Sequence, residues 1–207
     1  MHYKNIYKKF ASLEGSDHIA SEFALKGIEK LILKNNVKTV FELGIGIGTI
    51  PYLIKKIDRN IFYVGTEGNP YCIEQLNKNL SEVMDNQLLH FSSTSEIDKN
   101  LKFDLIIIDG KFDNTDFIKS ITHTNSIILI EGDRKEQRDV IQDIFPNYLV
   151  SRCITNKRNY TWGPFVSGYM GGYTLYRLNY KSFKNRVAHL RERISTSLLY
   201  RLRKYLM

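Results

Sequence analysis

A doubly wound, mostly parallel seven-stranded α/β sheet is the architecture that the 207 residues predict, with a C-terminal antiparallel hairpin and a basic amphipathic helix after it. Three observations carry this reading. Short β-type runs alternate with helical ones from Lys38 to Phe145. The runs FDLIII and SIILI are apolar on both faces, as buried parallel strands are. After Pro146 the alternation stops, and two strands follow with no helix between them.

The elements come in this order. Asp17–Asn35 reads as a helix capped by Ser16 or Asp17, with Ile19, Phe23, Ile28, Leu31 and Ile32 roughly on one face. Lys38–Leu43 is a strand and Thr49–Ile57 a helix. Ile61–Thr66 is the next strand, and Pro70–Ser81 the helix after it. Gln87–Phe91, Phe103–Ile108 and Ser126–Ile130 are further strands, with a short helix at Thr115–Ile121 between the last two. Arg134–Phe145 is a helix ended by Pro146. Asn147–Ile154 and Tyr173–Leu178 form the closing hairpin, joined by a stretch rich in glycine and aromatics.

Composition excludes several classes. Apolar residues make up 43% and charged ones 25%, enough to bury a core and too balanced for a disordered or fibrous chain. Apolar runs such as Leu105–Ile108 are far too short to span a bilayer. The opening MHYKNIYKKF has no apolar signal region, and Cys72 and Cys153 make neither a disulfide framework nor a metal spacing. A cytoplasmic location is the expectation. The formal charge of +8 is local. Nine Lys/Arg lie between Arg177 and Met207 against one acid, Glu192, so this segment holds the whole excess.

The stretch FELGIGIGTI places Gly44, Gly46 and Gly48 between a strand and a helix. Such a turn is expected to leave backbone amides open at the helix N-terminus, suited to an anionic or carbonyl-bearing ligand group. Thr49 occupies the position where a dinucleotide fingerprint needs its third glycine, so that pattern fails. Glu42 precedes the loop, and Glu67 closes the next strand, where a carboxylate can accept both hydroxyls of a ribose.

With these residues the sequence resembles the class I S-adenosylmethionine-dependent methyltransferases. VFELGIGIG is similar to their first motif, YVGTEGNP to their second, FDLIIIDG to their fourth, and SIILIEGD to the fifth strand with its acidic end. The resemblance covers about 38–178. It implies a domain over 1–180 with a helical cap at 1–36, and 181–207 as an appended helix. It also implies S-adenosylmethionine as cofactor. Gly44, Gly46 and Gly48 would hold its methionine and ribose portion, Glu42 would sit near the amino group, and Glu67 would take the ribose diol. Ser92 and Ser93, after the third strand, would lie near adenine.

The acceptor is less constrained. Asp109, at the end of the fourth strand, is the candidate catalytic or positioning residue, with a turn aspartate before Gly110 as the alternative. His18 is a second candidate, in a segment that relatives in this family fold over the cofactor. The run Asp109-Gly110-Lys111-Phe112 lacks the Pro-Pro-aromatic pattern of enzymes that methylate base or amide nitrogens. Asp109 and the carboxylates after the fifth strand are similar to those of small-molecule and sugar O-methyltransferases, which implies an oxygen of a small molecule or glycan as the expected acceptor. Asp109, Glu131 and Asp133 could hold a divalent metal, or the latter two could cap the helix at Arg134. Tyr160, Trp162 and Phe165 are the acceptor-recognition candidates, against a packed hairpin connection.

In the tail, Phe183, Val187, Leu190, Ile194, Leu198, Leu202 and Tyr205 recur at helical spacing among Arg and Lys. Three partners compete for residues 183–207: an anionic membrane on its inner face, the protein's own core or an oligomer partner, and nucleic acid. Two functional rivals accompany the main reading: an RNA methyltransferase using the tail for phosphates, and a non-catalytic member that binds cofactor or partners.

Overall fold

The computed structural model describes residues 2–111, 114–132, 134–157 and 171–205. Its helices are α1 (Tyr3–Ala11), α2 (Glu22–Asn35), α3 (Thr49–Ile57), α4 (Pro70–Leu80), α5 (Thr115–Ser120), α6 (Lys135–Ile144) and α7 (Phe183–Tyr205). Its strands are β1 (Thr39–Leu43), β2 (Phe62–Thr66), β3 (Leu88–Phe91), β4 (Leu105–Ile108), β5 (Ile127–Glu131), β6 (Leu149–Cys153) and β7 (Tyr173–Arg177). The strands form one seven-stranded sheet in the order β3-β2-β1-β4-β5-β7-β6. β1 to β5 are parallel, and β7 runs antiparallel to both β5 and β6. The expected α/β architecture with its closing hairpin is what the chain adopts.

Two apolar layers follow from the alternation of strand side chains. Val40, Tyr63, Leu105, Ile107 and Leu129 face one layer, with buried residues of α1, α2, α3 and α4. Phe41, Val64, Ile106, Ile108 and Ile128 face the other, with Phe117 of α5 and Ile141 of α6. Strand order reverses between β1 and β4. The carboxyl ends of the strands at such a reversal are where open α/β sheets take ligands.

The N-terminal region differs from the expected single helix. The stretch Ser16–His18 is one 3₁₀ turn, and Ile19 is extended (φ −120°, ψ 151°). α2 starts only at Glu22, capped by Ser21, whose hydroxyl accepts from the Ala24 amide. The reason is tertiary: Ser21 is held at Glu131 by two hydrogen bonds, which a helix continuing from Asp17 would not deliver. Within the expected helical cap at 1–36, the sequence reading places no separate helix at α1. Its signal is short, Tyr3, Ile6 and Phe10 being the buried residues on one helical face.

α7 lies along β6, the outermost strand. Arg177 and Glu192 form a two-pronged ion pair at 2.8 and 2.6 Å, Ser151 Oγ meets His189 Nδ1 at 3.0 Å, and Thr196 Oγ1 donates to the Arg152 carbonyl at 2.5 Å. Of the apolar stripe read from the sequence, Phe183, Leu190, Ile194, Leu198, Leu202 and Tyr205 lie on the outer side in solvent, while Val187 is half-buried toward α2.

Candidate active site at the carboxyl edge of the sheet

The glycine loop is shaped by its protein neighbours. Gly44, Gly46 and Gly48 have φ of 87°, 59° and 98°, a region that side chains rarely enter. A Cβ on Gly44 would lie 2.7 Å from the Gly110 nitrogen, and one on Gly46 would lie 2.2 Å from the His18 carbonyl oxygen. The amides are also taken. Those of Gly44 and Ile45 donate to the Thr66 carbonyl, that of Gly46 to Glu67 Oε2 at 2.7 Å, that of Ile47 to the His18 carbonyl at 3.4 Å, and that of Gly48 to the Ile45 carbonyl. Within 44–48 the amides are therefore not open to a ligand, contrary to that part of the expectation. This loop turns its amides inward, as neither a phosphate cradle nor a pyrophosphate site does.

The polar groups of the crevice are instead carboxylates. Glu42 on β1, Glu67 just past β2, Asp109 just past β4 and Glu131 ending β5 occupy alternate positions in phase with Val40, Tyr63, Ile107 and Leu129, so all four share one face. Glu42 is buried and accepts the Tyr63 hydroxyl at 2.6 Å. Burial holds its pKa well above the usual carboxylate range, and Asp109, Glu131 and Glu67 push it the same way. Glu67 receives the Gly46 amide on one oxygen and the Asn69 amide on the other, at 2.7 and 2.8 Å. A carboxylate offers about four acceptor sites. Glu67 thus keeps capacity for a diol.

Asp109 pairs with Arg134, whose guanidinium also donates through Nε to the Glu131 carbonyl. Burial raises Asp109 while Arg134 opposes the shift. Glu131 accepts the Ser21 amide at 2.7 Å and the Ser21 hydroxyl at 2.9 Å, both on Oε1. Its Oε2 is buried and has no hydrogen-bond partner among the described residues. Burial and the neighbouring Asp109 push Glu131 up to about 8. Of the expected metal set, Asp133 lies outside the described residues. The other two members are engaged by Arg134 and Ser21, and among the described residues no cluster of three metal-ligating side chains forms.

Around the rim, Ser92 and Ser93 follow β3 as expected. Both of their amides and the Ser92 hydroxyl donate to Glu96 Oε1, so a capping box organises this corner. His18 sits over the glycine loop through its backbone. Its ring is partly exposed, 3.4 Å from Asp17 and tilted on Tyr71. Tyr160, Trp162 and Phe165 lie outside the described residues.

Four participants escaped the sequence reading. Arg134 reads in the sequence only as a helix start, yet it binds the candidate catalytic aspartate. Ser21 carried a signal, a serine two residues before a helical apolar run, but nothing local tied it to Glu131. Tyr63 and Gly65 act together. Gly65 pairs with Glu42 across the strands, and a Cβ there would lie 2.7 Å from the Tyr63 hydroxyl, so a bare Gly65 lets that hydroxyl reach Glu42.

No protein-family profile matches the chain, and no curated protein sequence does. Solved structures match it across most of its length. An O-methyltransferase from Bacillus cereus in complex with S-adenosylhomocysteine is 13% identical, covers 84% of this chain and 90% of its own, and superposes with a TM-score of 0.60. A precorrin-6y C5,15-methyltransferase from Geobacter metallireducens is 11% identical, with coverage of 77% and 89% and a TM-score of 0.61. An S-adenosylhomocysteine-bound methyltransferase from Podospora anserina is 14% identical, with coverage of 84% and 86% and a TM-score of 0.57. The chain has the class I S-adenosylmethionine-dependent methyltransferase fold.

Proposed function

We propose that the protein is an S-adenosylmethionine-dependent methyltransferase whose acceptor is an oxygen of a small molecule or glycan. The observation that carries this reading is the set Glu42, Glu67, Asp109 and Glu131 converging on one crevice at the strand-order reversal. The donor set fits this cofactor. Carboxylates suit its sulfonium and ammonium, and the buried Glu131 Oε2 still lacks a partner among the described residues. Glu67 would take the ribose diol, with Glu42, Asp109 and Glu131 around the cationic methionine end. The cofactor supplies an electrophilic methyl group.

The chain's own contribution is positioning and charge. Methyl transfer is an in-line displacement, so fixing the nucleophile against the methyl and excluding water account for most of the rate. The Arg134–Asp109 pair fixes one wall of the crevice, and the 15–19 segment covers the glycine loop. An alcohol acceptor must lose a proton. Asp109, whose charged form Arg134 supports against the effect of burial, is the carboxylate proposed to take it.

The test is transfer of labelled methyl from S-adenosylmethionine to a panel of hydroxylated aromatics, nucleotide sugars, glycolipids and RNA. Label in a hydroxyl-bearing small molecule or glycan supports the proposal. Label in RNA alone would replace the acceptor, and no label in any acceptor, with cofactor bound, would favour a non-catalytic role.

A further inference from the structure

α7 shows an unusual division of its surface. The side facing β6 carries mostly polar or small groups, such as Asn185, Ala188, Glu192 and Thr196. The outer side exposes Phe183, Leu190, Ile194, Leu198, Leu202 and Tyr205, each more than half exposed. Lys184 and Arg191 flank this stripe on one side, Arg186 and Arg193 on the other, by helical spacing. An isolated exposed leucine is ordinary, but six large apolar residues along a helix of about 35 Å are not.

Beside the stripe, between α7, β6 and the end of α6, runs a cleft of about 1000 Å³. Arg152, Arg193, Arg201 and Arg203 line it together with Tyr148 and Tyr200, and its described lining contains no carboxylate. A second gap of about 640 Å³ separates α7 from α2 on the other side. Polar bonds rather than close apolar packing therefore hold the helix in place. Arg201 lies between the cleft and the stripe on the helical wheel, so cationic and apolar surfaces are continuous.

We propose that α7 and this cleft dock the protein on an anionic membrane surface, the stripe entering the acyl boundary and the arginine cleft taking phosphate headgroups. Charge complementarity selects this occupant. The entire +8 excess of the chain lies in 177–207. A second copy placed across a two-fold axis would bring these like charges together. RNA would engage the arginines and leave the apolar stripe in water. An amphipathic helix with basic flanks satisfies both at a lipid interface. No described helix is long and apolar enough to cross a membrane, so the contact is peripheral.

Orientation links this surface to the crevice. α7 starts near the amino edge of the sheet, where Lys184 Nζ donates to the Lys34 carbonyl. It ends at the carboxyl edge, where Arg203 donates to the Thr155 carbonyl. The docked helix brings the edge bearing Glu67, Asp109 and Glu131 alongside the lipid.

The experiment is co-sedimentation of the full chain with phosphatidylcholine vesicles and with vesicles in which about a third of the lipid is phosphatidylserine. The protein is expected to pellet with the anionic vesicles and to stay in the supernatant with the neutral ones. The exposed pair Leu190→Ser/Ile194→Ser and, separately, Arg193→Glu/Arg201→Glu should each weaken the partition at least about tenfold. Equal partition of wild type and both variants overturns the proposal, as does absence of wild-type binding to anionic vesicles at low salt. Salt-sensitive RNA binding without vesicle binding, or a dimer abolished by the leucine–isoleucine pair without vesicle binding, also overturns it. The vesicle assay needs no methyl donor, so its outcome is independent of the proposed chemistry.

Discussion

The Gly46 amide donates to Glu67 Oε2 across 2.7 Å, tying the centre of the glycine loop to the carboxylate at the end of β2. One side chain thus shapes the loop and presents acceptors to the crevice. Glutamine in its place has a single acceptor oxygen and cannot serve both the Gly46 and Asn69 amides. Glu67→Gln is expected to weaken S-adenosylhomocysteine binding about ten- to a hundredfold, the span of a charged hydrogen bond. Competition against a fluorescent cofactor analogue measures this; an affinity within twofold of wild type would remove Glu67 from the site.

Gly46→Ala meets two obstacles at once, a φ of 59° and the His18 carbonyl 2.2 Å from the new Cβ. The substitution should cost about 2 kcal/mol or more in urea unfolding. A change below about 0.5 kcal/mol would mean that the 15–19 segment does not rest on the loop in solution.

Glu131 gives a pH signature. Below about 4.5, its ordinary value, native and unfolded chains both hold the proton; between there and about 8 only the native chain does. Stability contributed by this group is therefore lost as pH rises through that window and levels off above it. Glu42, held well above 4.5 by burial, adds a loss of the same sign. Glu131→Gln keeps an acceptor for Ser21 and removes the titration. Its melting temperature should fall less steeply from pH 5 to 8 than that of wild type. Parallel curves would show that Glu131 is ionised in the native protein.

Asp109→Asn leaves the shape of the crevice but removes the charge that Arg134 holds. It should lower kcat about a hundredfold once an acceptor is known, within the usual range for acid–base and positioning groups. Cofactor affinity should change far less. An unchanged kcat would reduce Asp109 to a turn residue before Gly110.

The ion pair of Arg177 with Glu192 anchors α7, and Arg177 is almost fully buried. Arg177→Met strips Glu192 of its partner and should cost about 2–3 kcal/mol. Limited proteolysis should then cut within α7 faster than in wild type. Unchanged cleavage would mean that the helix is held by other contacts.

Sequence patterning located most elements within one or two residues, because strand and helix periods are local properties. FDLIII and SIILI were readable as buried strands, and the turn at Gly44–Gly48 announced its backbone. The partners of that backbone were not readable. His18, Gly110 and Glu67 approach the loop from three separate segments, so amides that looked open are satisfied by chain far away in sequence. The same limit hid Ser21 and Arg134, whose roles exist only once β4, β5 and the start of α2 meet. For α7 the period was right and the direction unreadable. A helical stripe tells which residues share a face, while the polar bonds to β6 decide which face turns inward.

The central claim is that the crevice around Glu67 holds S-adenosylmethionine. Equilibrium dialysis of the full chain against methyl-labelled S-adenosylmethionine tests it directly. One saturable site per chain is expected, displaced by S-adenosylhomocysteine and lost in Glu67→Ala with an unchanged circular dichroism spectrum. Folded wild-type protein that retains no label at millimolar cofactor would contradict the account.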